Sequence, residues 1–307
     1  MVYLGLILGF VCLIYGGNLL VDGSVKLARR MGVSPLLIGL TLVGFGTSTP
    51  ELVTSLLAVF KESSGIAVGN VVGSNIANIL LVLGVAAVIS PVKVDLKAFK
   101  RDGAFLVLST IGLIVAVLLG RIGFMMGAIL VGMLAFYIVY SYTSDKKAQA
   151  DVQKTEDVPL GSPWKAFAQT VGGIALTLLG AKLLVDNSIE LAREWGISEA
   201  IIGLTVVAVG TSLPELITSI VSAIRKQNDV AFGNVVGSNI YNALFILGLT
   251  ALFMPIQVPE KMGWDIQIMT AATAALVGVA LWRRSFSRIT GVVFLMAYAI
   301  YIWRLFI

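Results

Sequence analysis

Apolar residues fill most of the chain in long runs that are separated by short polar stretches. An α-helix needs about 20 mainly apolar residues to cross the hydrocarbon core of a bilayer. The pattern predicts an all-α integral membrane protein with ten transmembrane helices, at residues 2–28, 35–60, 66–90, 102–120, 123–143, 166–192, 199–224, 230–254, 265–282 and 287–305.

One long polar stretch, SDKKAQADVQKTEDVPLGSPWK at residues 144–165, interrupts this pattern. It mixes charges of both signs with Pro and Gly, which is typical of a solvated linker. The linker separates two halves, 1–143 and 166–307, and each half contains five of the predicted helices.

The two halves repeat each other at a constant offset of 164 residues. The segment IGLTLVGFGTSTPELVTS at 38–55 matches IGLTVVAVGTSLPELITS at 202–219, and GNVVGSNIAN at 69–78 matches GNVVGSNIYN at 233–242. Because five is an odd number of spans, the halves are predicted to face opposite sides of the membrane. Inverted-topology repeats of this kind recur in secondary transporters, whose binding sites lie near the midplane at the repeat interface.

Composition and charge narrow the possible functions. The chain is 58% hydrophobic and 13% charged, whereas soluble domains carry about 25% charged residues. A soluble enzyme, a nucleic-acid-binding domain and a disulfide scaffold are therefore excluded. The chain has no histidine and one cysteine, Cys12, which excludes imidazole metal sites, Ser-His triads and an internal disulfide.

The basic residues predict the orientation. With the amino terminus outside, sixteen Lys and Arg residues fall in inside loops and five fall in outside loops or ends. The positive-inside rule then places both termini outside and the linker in the cytoplasm. The predicted location is the cell membrane, plasma or inner.

The motifs GTSTPEL and GTSLPEL each place a carboxylate, Glu51 or Glu215, in the middle of an apolar segment. A charged residue there costs about 2.5–3.5 kcal/mol on insertion scales, and such residues are functional by default. No basic residue occurs at an equivalent depth in either motif, which argues against simple ion pairing. The two glutamates are therefore candidate ligands of a transported ion.

A proline precedes each glutamate and predicts a broken helix near the midplane. Pro50 and Pro214 cannot donate a backbone hydrogen bond, and each displaces the carbonyl four residues before it. Irregular backbone at this depth is tolerated when it is buried in protein or lines a cavity. A proline kink alone is common, but one flanked by Thr, Ser and Glu indicates a site for a hard cation.

The GNVVGSN segments carry a polar stripe. In the first repeat Asn70, Ser74 and Asn78 fall at i, i+4 and i+8, on one face of a helix. The second repeat has the same stripe at Asn234, Ser238 and Asn242. Close helix packing through the glycines and small polar residues is one interpretation, and oxygens that face the ion site are the other; both remain open.

Carboxylates and carbonyls of this kind suit Ca²⁺, which takes six to eight oxygen ligands in a flexible cage, at about 2.3–2.6 Å. Two carboxylates balance the charge of one Ca²⁺ or two Na⁺. Protons are possible competitors, since two carboxylates would share a low-dielectric site. No cofactor, nucleic acid or protein partner is expected; the partners are the ions and the lipid bilayer.

At these motifs the chain resembles the cation/calcium exchanger superfamily, and within it the prokaryotic sodium/calcium exchangers. The residues about 38–91 and 202–255 resemble its α-repeats. The resemblance implies that Glu51 and Glu215 are shared ligands of Ca²⁺ and Na⁺, and that the first and sixth helices slide to alternate access. It implies further ligands in the carbonyls of Thr47, Thr211, Gly44 and Ala208, and in the side chains of Ser48, Ser74, Ser212, Ser238, Asn78 and Asn242.

One departure from the family concerns the central positions. Many relatives have an aspartate at one of them, whereas here both Asn78 and Asn242 are neutral. The site then carries two formal negative charges rather than three. The number of Na⁺ ions exchanged per Ca²⁺ and any K⁺ dependence are therefore left open.

The function predicted from all of these features is an antiporter, not an enzyme, that exchanges Na⁺ for Ca²⁺ by alternating access. A Ca²⁺/H⁺ antiporter is the nearest alternative, and a cation channel or an intramembrane hydrolase are remote ones. Asp22 and Asp186 lie near helix ends before Arg29 and Arg193. We expect these two aspartates to be solvated or paired with arginine rather than to bind the ion.

Overall fold

The structure, a computed structural model, describes residues 2–61, 64–150, 162–195, 208–259 and 262–305. Twelve helices, α1–α12, account for most of these residues. Their bounds are Val2–Met31, Pro35–Thr47, Thr49–Phe60, Ser64–Ile89, Leu96–Leu118, Phe124–Ala150, Pro163–Glu194, Ala208–Thr211, Leu213–Ile224, Asn228–Phe253, Gly263–Trp282 and Arg288–Leu305. Four two-residue strands, β1–β4, lie at Val92–Lys93, Arg121–Ile122, Ile256–Gln257 and Ser285–Phe286.

The described helices confirm an all-helical integral membrane protein. Eight of them are long and apolar enough to cross a membrane, and a ninth span results if α2 and α3, which meet at a bend of 43°, are counted together. The predicted segment 199–224 falls partly outside the described residues, and its described part, α8 and α9, is too short to span alone. The count of ten therefore stays a prediction.

The observed elements follow the same offset of 164 residues as the sequence repeat. Helix α3 corresponds to α9, β1 to β3 and β2 to β4. A wide π-helical turn interrupts α4 at Asn78–Val82 and α10 at Asn242–Ile246, again at equivalent positions. The strands pair across the halves, β1 with β4 and β2 with β3, both antiparallel. The two repeats are thus interlocked rather than side by side.

Helices α4 and α10 occupy the centre of the bundle. Within their apolar windows 72% of α4 and 83% of α10 is buried, against at most 39% for the other long described helices. The outer helices expose large apolar side chains, as lipid-facing surfaces do. On α1 these are Tyr3, Leu4, Ile7, Leu8, Phe10, Val11, Ile14 and Tyr15.

The broken helices predicted from the prolines are present. Helix α2 ends at Thr47 and α3 begins at Thr49, with Ser48 outside helical geometry at φ −82° and ψ 10°. Ser212 adopts nearly the same conformation between α8 and α9, at φ −86° and ψ 5°. In both places the proline occupies the first turn of the new helix, where its missing amide costs nothing.

Helices α1 and α7 pack against each other through glycines. Gly9, Gly16 and Gly23 recur every seven residues and meet residues of falling number along α7, so the pair is antiparallel. A Cβ on Gly16 would lie 2.6 Å from the backbone nitrogen of Thr177, and one on Gly23 would lie 2.6 Å from that of Thr170. Such contacts leave no room for a side chain and let the two backbones touch.

The predicted linker is partly helical. Helix α6 continues to Ala150 and α7 begins at Pro163, so both ends of the 144–165 stretch belong to helices. The segment after Ser144 is rich in Lys, Ala and Gln, which favour helix. Asp145 is buried and accepts hydrogen bonds from the backbone nitrogen and hydroxyl of Ser34. Residues 151–161 lie outside the described part of the chain.

Candidate functional site

Two buried carboxylates form the centre of the site. Glu51 is 1% exposed and Glu215 is fully buried. Each lies in the first turn of its helix, α3 or α9, where the partial positive charge of the helix amino terminus favours an anion. Among the described residues, no lysine or arginine forms an ion pair with either glutamate, as the motif comparison predicted.

Each carboxylate is held by a serine of the other repeat. The Ser48 hydroxyl donates to Glu215 Oε1 at 2.9 Å, and the Ser212 hydroxyl donates to Glu51 Oε1 at 3.5 Å. Both serines lie at the helix breaks, where the backbone leaves helical geometry and turns their side chains toward the opposite repeat. The two motifs therefore build one shared site and not two separate ones.

The first asparagine of each polar stripe is a scaffold residue. Asn70 donates to the carbonyl of Glu51 and to the Ser55 hydroxyl, both at 3.0 Å. Asn234 makes the equivalent bonds to the carbonyl of Glu215 at 3.1 Å and to Ser219 at 3.0 Å. These bonds fix α3 on α4 and α9 on α10.

The side chain of Asn234 has the packing role that the polar stripe allowed. Its amide oxygen accepts a hydrogen bond from the Thr47 hydroxyl at 3.1 Å. Its amide nitrogen donates to the carbonyl of Glu215 and to the hydroxyl of Ser219. Ser55 and Ser219 were not singled out from the sequence, although the TS dipeptide that contains each of them recurs at the end of both matched segments.

The last asparagine of each stripe lies deeper and is less satisfied. Asn78 is 1% exposed and Asn242 is fully buried. Asn242 donates to the amide oxygen of Asn75 at 3.0 Å, and Asn75 reaches across to the carbonyl of Asn239 at 3.4 Å. Asn239 instead donates to Val235 of its own helix. Asn75 is thus the packing residue that the small-residue interpretation expected, although its counterpart Asn239 stays within its own helix.

Four buried oxygen atoms of this cluster have no hydrogen-bond donor in the described part of the chain. They are Glu51 Oε2, Glu215 Oε2, Asn78 Oδ1 and Asn242 Oδ1. Buried polar atoms are nearly always satisfied, and an unsatisfied one costs about 1–3 kcal/mol. The amide nitrogen of Asn78 is an unpaired donor in the same cluster, so acceptors outnumber donors by four to one. Two carboxylates and an excess of acceptor oxygens suit a cation and offer no positive charge to an anion.

The remaining predicted ligands lie on α2, α4, α8 and α10. Ser238 donates to Glu215 Oε1 at 3.5 Å, and Ser74 is buried on α4 at 5% exposure. Thr47 is buried at the end of α2, and its hydroxyl bonds the Val43 carbonyl. Thr211 ends α8 and is half-buried, and Ala208 is the first residue of that helix. The carbonyl of Gly44 accepts the amide of Ser48 at 3.1 Å, which leaves it a second lone pair.

An aromatic cluster covers the site on one side. The ring centroid of Phe45 lies 5.7 Å from that of Tyr241 and 5.5 Å from that of Phe245. With Ser48 and Leu52 these rings line a cavity of about 10 Å³, roughly the room that one water needs. The equivalent positions in the repeat are Val209, Ala77 and Leu81, so the cover is particular to one side. Sequence analysis did not single it out.

Asp22 does not reach the carboxylates. It forms an ion pair with Arg225, at the end of α9. The expectation of an arginine-paired side chain is confirmed, but the partner comes from the other repeat. Asp186, its repeat counterpart, is exposed.

Comparisons with known proteins agree over the whole chain. The family model described as "Sodium/calcium exchanger protein" matches residues 1–143 and 165–307. The sodium/calcium exchanger MaX1 of Methanosarcina acetivorans is 33% identical over 349 residues, which cover 99% of this chain and 98% of that protein. The inner membrane protein YrbG of Escherichia coli is 32% identical over 311 residues, which cover 97% and 94%.

A solved structure agrees with the fold. The sodium-calcium exchanger NCX_Mj, soaked with zero Na⁺ and Ca²⁺, superposes with a TM-score of 0.85 at 31% sequence identity, covering 99% of this chain and 100% of that one. A whole-chain family match and a whole-chain structural match together are decisive. This chain belongs to the sodium/calcium exchanger family.

Proposed function

We propose that this protein is a secondary antiporter that exchanges Na⁺ for Ca²⁺ across the cell membrane by alternating access. The observation that carries the proposal is the cluster of four unsatisfied buried oxygens on Glu51, Glu215, Asn78 and Asn242. A bound hard cation would accept electron pairs from all four oxygen atoms, and it would do so while both carboxylates remain ionised. The names of the relatives, which are exchangers, support the same function.

The two glutamates are proposed as the central ligands shared by Ca²⁺ and Na⁺. The carbonyls of Thr47 and Thr211 complete the Ca²⁺ shell, and Asn78 and Asn242 contribute amide oxygens. The flanking Na⁺ ligands are the hydroxyls of Ser48, Ser74, Ser212 and Ser238 and the carbonyls of Gly44 and Ala208. When Ca²⁺ binds, Ser48 and Ser212 lose their place as the nearest partners of the carboxylates.

The architecture proposed for this exchange is ten helices in two inverted five-helix repeats, with both termini outside and the linker in the cytoplasm. The reciprocal bonds from Ser48 to Glu215 and from Ser212 to Glu51 support it, because two halves related by a pseudo-two-fold axis meet in this crossed way. The crossed pairing of β1 with β4 and of β2 with β3 supports it as well.

Alternating access is proposed to result from movement of α1 and α7 as one pair. Their backbones touch at glycines from Gly9 to Gly23, which supports movement of the two helices as one unit. The same pair touches the rest of the bundle through smaller contacts, such as Gly17 against Ile217 and Val221. A movement of the pair along α3 and α9 would expose the carboxylates first to one side and then to the other.

A Ca²⁺/H⁺ antiporter is the second candidate. The observation that favours it is the absence, among the described residues, of a basic partner for Glu51 or Glu215, since a proton could neutralise such a carboxylate in place of Na⁺. The distinction lies in the coupling ion and not in the fold or the Ca²⁺ ligands.

The coupling ion can be tested with purified protein in liposomes. Vesicles loaded with Na⁺, K⁺ or choline are diluted into Na⁺-free buffer with ⁴⁵Ca²⁺ at matched pH, and a parallel set carries a proton gradient. The proposal predicts uptake that requires internal Na⁺ and is unaffected by a protonophore. Uptake driven by the proton gradient alone would assign the protein to Ca²⁺/H⁺ exchange.

A further inference from the structure

The polar face of α9 does not end at Glu215. Thr218 and Ser222 follow it at i+3 and i+7, so they lie along the same stripe of the helix. Both are fully buried. Arg225 stands at the end of the same helix, three residues after Ser222. The stripe thus leads from the central carboxylate toward one end of the bundle.

The hydroxyls of Thr218 and Ser222 have no hydrogen-bond partner within the described ranges. This is unusual for hydroxyls in apolar helices, which satisfy themselves by donating to the carbonyl four residues earlier. Other threonines of this chain do so, namely Thr41, Thr47, Thr170, Thr177 and Thr270. Ser141 on α6 and Thr250 on α10 also lack a partner in the described residues, but neither continues the helix face that carries Glu215. Two adjacent buried hydroxyls without a partner indicate a ligand that they meet at another stage of the cycle.

Helix α1 contributes a third hydroxyl of the same kind. Gly17 of α1 packs against Ile217 and Val221 of α9, and Ser24 lies two turns further along that face of α1. Ser24 is fully buried, and its hydroxyl has no partner in the described part of the chain. Near the same end, α1 and α9 are joined by the ion pair between Asp22 and Arg225.

We propose that Thr218, Ser222 and Ser24, called here the hydroxyl stripe, are transient ligands for Na⁺ or Ca²⁺ on the route between Glu215 and the membrane face at which Arg225 lies. The Asp22–Arg225 ion pair closes this route in the structure described here. The inference rests on the proposed function, because the ions assigned to the stripe are those of the proposed exchange.

The hydroxyl ligands of the stripe suit brief contacts with a passing cation rather than tight binding of it. Hydroxyl oxygens replace part of the hydration shell of a hard cation but carry no charge, so an ion is not trapped there, as conduction requires. The ion pair that closes the route is only partly buried, with 33% of the Arg225 side chain and 46% of the Asp22 side chain exposed. Partly exposed ion pairs are weak and easily broken.

The repeat matches the stripe only in part. The positions equivalent to Thr218 and Ser222 are Thr54, which is half-buried, and Ala58, which has no hydroxyl. Asp186 and Lys61 occupy the places of Asp22 and Arg225. The counterpart of Ser24 is Ser188, which is half-buried. The two routes that alternating access needs therefore differ in the hydroxyl at Ser222 and in how deeply the others are buried.

Cysteine accessibility tests the route without depending on transport. In a Cys12→Ala background, Ser222→Cys and Thr218→Cys are placed in liposomes and treated with a membrane-impermeant cationic methanethiosulfonate. Ala223→Cys is the matched control, because Ala223 is 1% exposed and adjacent to Ser222 but off the stripe. We expect Ser222→Cys to react faster than Ala223→Cys, from the Arg225 face only.

Asp22→Asn, which removes the ion pair, is expected to raise the Ser222→Cys reaction rate about two- to fivefold, the effect of one partly exposed pair on an opening equilibrium. Saturating Ca²⁺ is expected to slow the reaction. Equal rates for Ser222→Cys and Ala223→Cys, or a rate that Asp22→Asn leaves unchanged, would overturn the proposal.

Transport provides a second readout. Thr218→Val and Ser222→Ala are expected to lower the maximal ⁴⁵Ca²⁺ exchange rate about fivefold, the effect of one neutral hydrogen bond lost from the barrier. Equilibrium Ca²⁺ binding and the melting temperature should not fall, since each removed hydroxyl has no partner in the described structure. Thr270→Val, which removes a self-satisfied hydroxyl on α11, is the control and should leave the rate unchanged.

The outcomes separate the two proposals. A normal exchange rate in Thr218→Val and Ser222→Ala, or a lower melting temperature with a normal rate, would overturn the stripe and leave the antiporter intact. If the unmodified protein carries no Ca²⁺ at all, the proposed function fails, while the labelling rates still report whether a route runs along α9.

Discussion

The Ser48 hydroxyl of the first repeat lies 2.9 Å from the Glu215 carboxylate of the second, while the reciprocal distance from Ser212 to Glu51 is 3.5 Å. The crossing means that neither repeat holds a complete site, because each carboxylate takes a serine partner from the opposite half. The unequal distances mean that the two halves of the site do not have the same conformation. The proposed inverted repeats need such an asymmetry in order to expose a shared site to one side at a time.

The asymmetry predicts unequal effects of two equivalent substitutions. The Ser48 hydroxyl is the closer of the two to its carboxylate, so it is the better placed to bind a Na⁺ ion there. A polar contact to a charged group contributes about 1.5–3 kcal/mol. Ser48→Ala should therefore raise the Na⁺ concentration for half-maximal exchange by about tenfold, and Ser212→Ala by less. Dose–response curves of Na⁺-driven ⁴⁵Ca²⁺ flux measure this difference. Identical curves for the two variants would show that the asymmetry has no bearing on Na⁺ binding.

The neutral residues at Asn78 and Asn242 predict the charge moved in each cycle. With two carboxylates, one Ca²⁺ or two Na⁺ neutralises the site, so exchange should be electroneutral. Asn78→Asp adds a third negative charge, and the variant should take a third Na⁺ and become electrogenic. Flux measured at clamped K⁺/valinomycin potentials tests both statements. A strong voltage dependence in the unmodified protein would contradict the charge count.

The glycine contact between α1 and α7 predicts that its residues tolerate no side chain. In Gly16→Ala the new Cβ would lie 2.6 Å from the Thr177 backbone, and overpacking of this kind typically costs about 1–3 kcal/mol. We expect a lower melting temperature and slower exchange. Gly172→Ala on α7 is the control, since no atom lies within 4 Å of its Cβ position. A Gly16 variant as stable and active as the control would disprove the tight pair.

Much of this arrangement could be predicted from the sequence, for physical reasons. A bilayer demands long apolar runs, so most of the helices could be located. The 164-residue offset marked Glu51 and Glu215 as equivalent, and the prolines indicated the helix breaks now seen at Ser48 and Ser212. These features depend on the local sequence, so they are the same however the rest of the chain packs.

Contacts between the repeats could not be predicted in the same way. Spacing along one helix shows which side chains share a face, but not that Ser48 bonds Glu215 rather than Glu51. An arginine partner was one of the two expectations for Asp22, but that it is Arg225, 203 residues away, could not be read from positions along a single helix. The helical ends of the predicted linker were missed because a mixed-charge segment can be solvated as helix or as coil.

The most direct test of the account is the competition of Ca²⁺ and Na⁺ for the two glutamates. Equilibrium ⁴⁵Ca²⁺ binding to the detergent-solubilised protein is measured while Na⁺ is titrated in, for the unmodified chain, Glu51→Gln and Glu215→Gln. Glu190→Gln, which alters an exposed carboxylate on α7, is the control. We predict saturable Ca²⁺ binding that Na⁺ displaces, its loss in each of the two central variants, and its retention in the control. Ca²⁺ binding that persists in both Glu51→Gln and Glu215→Gln, or that Na⁺ does not displace, would contradict the assignment of this site.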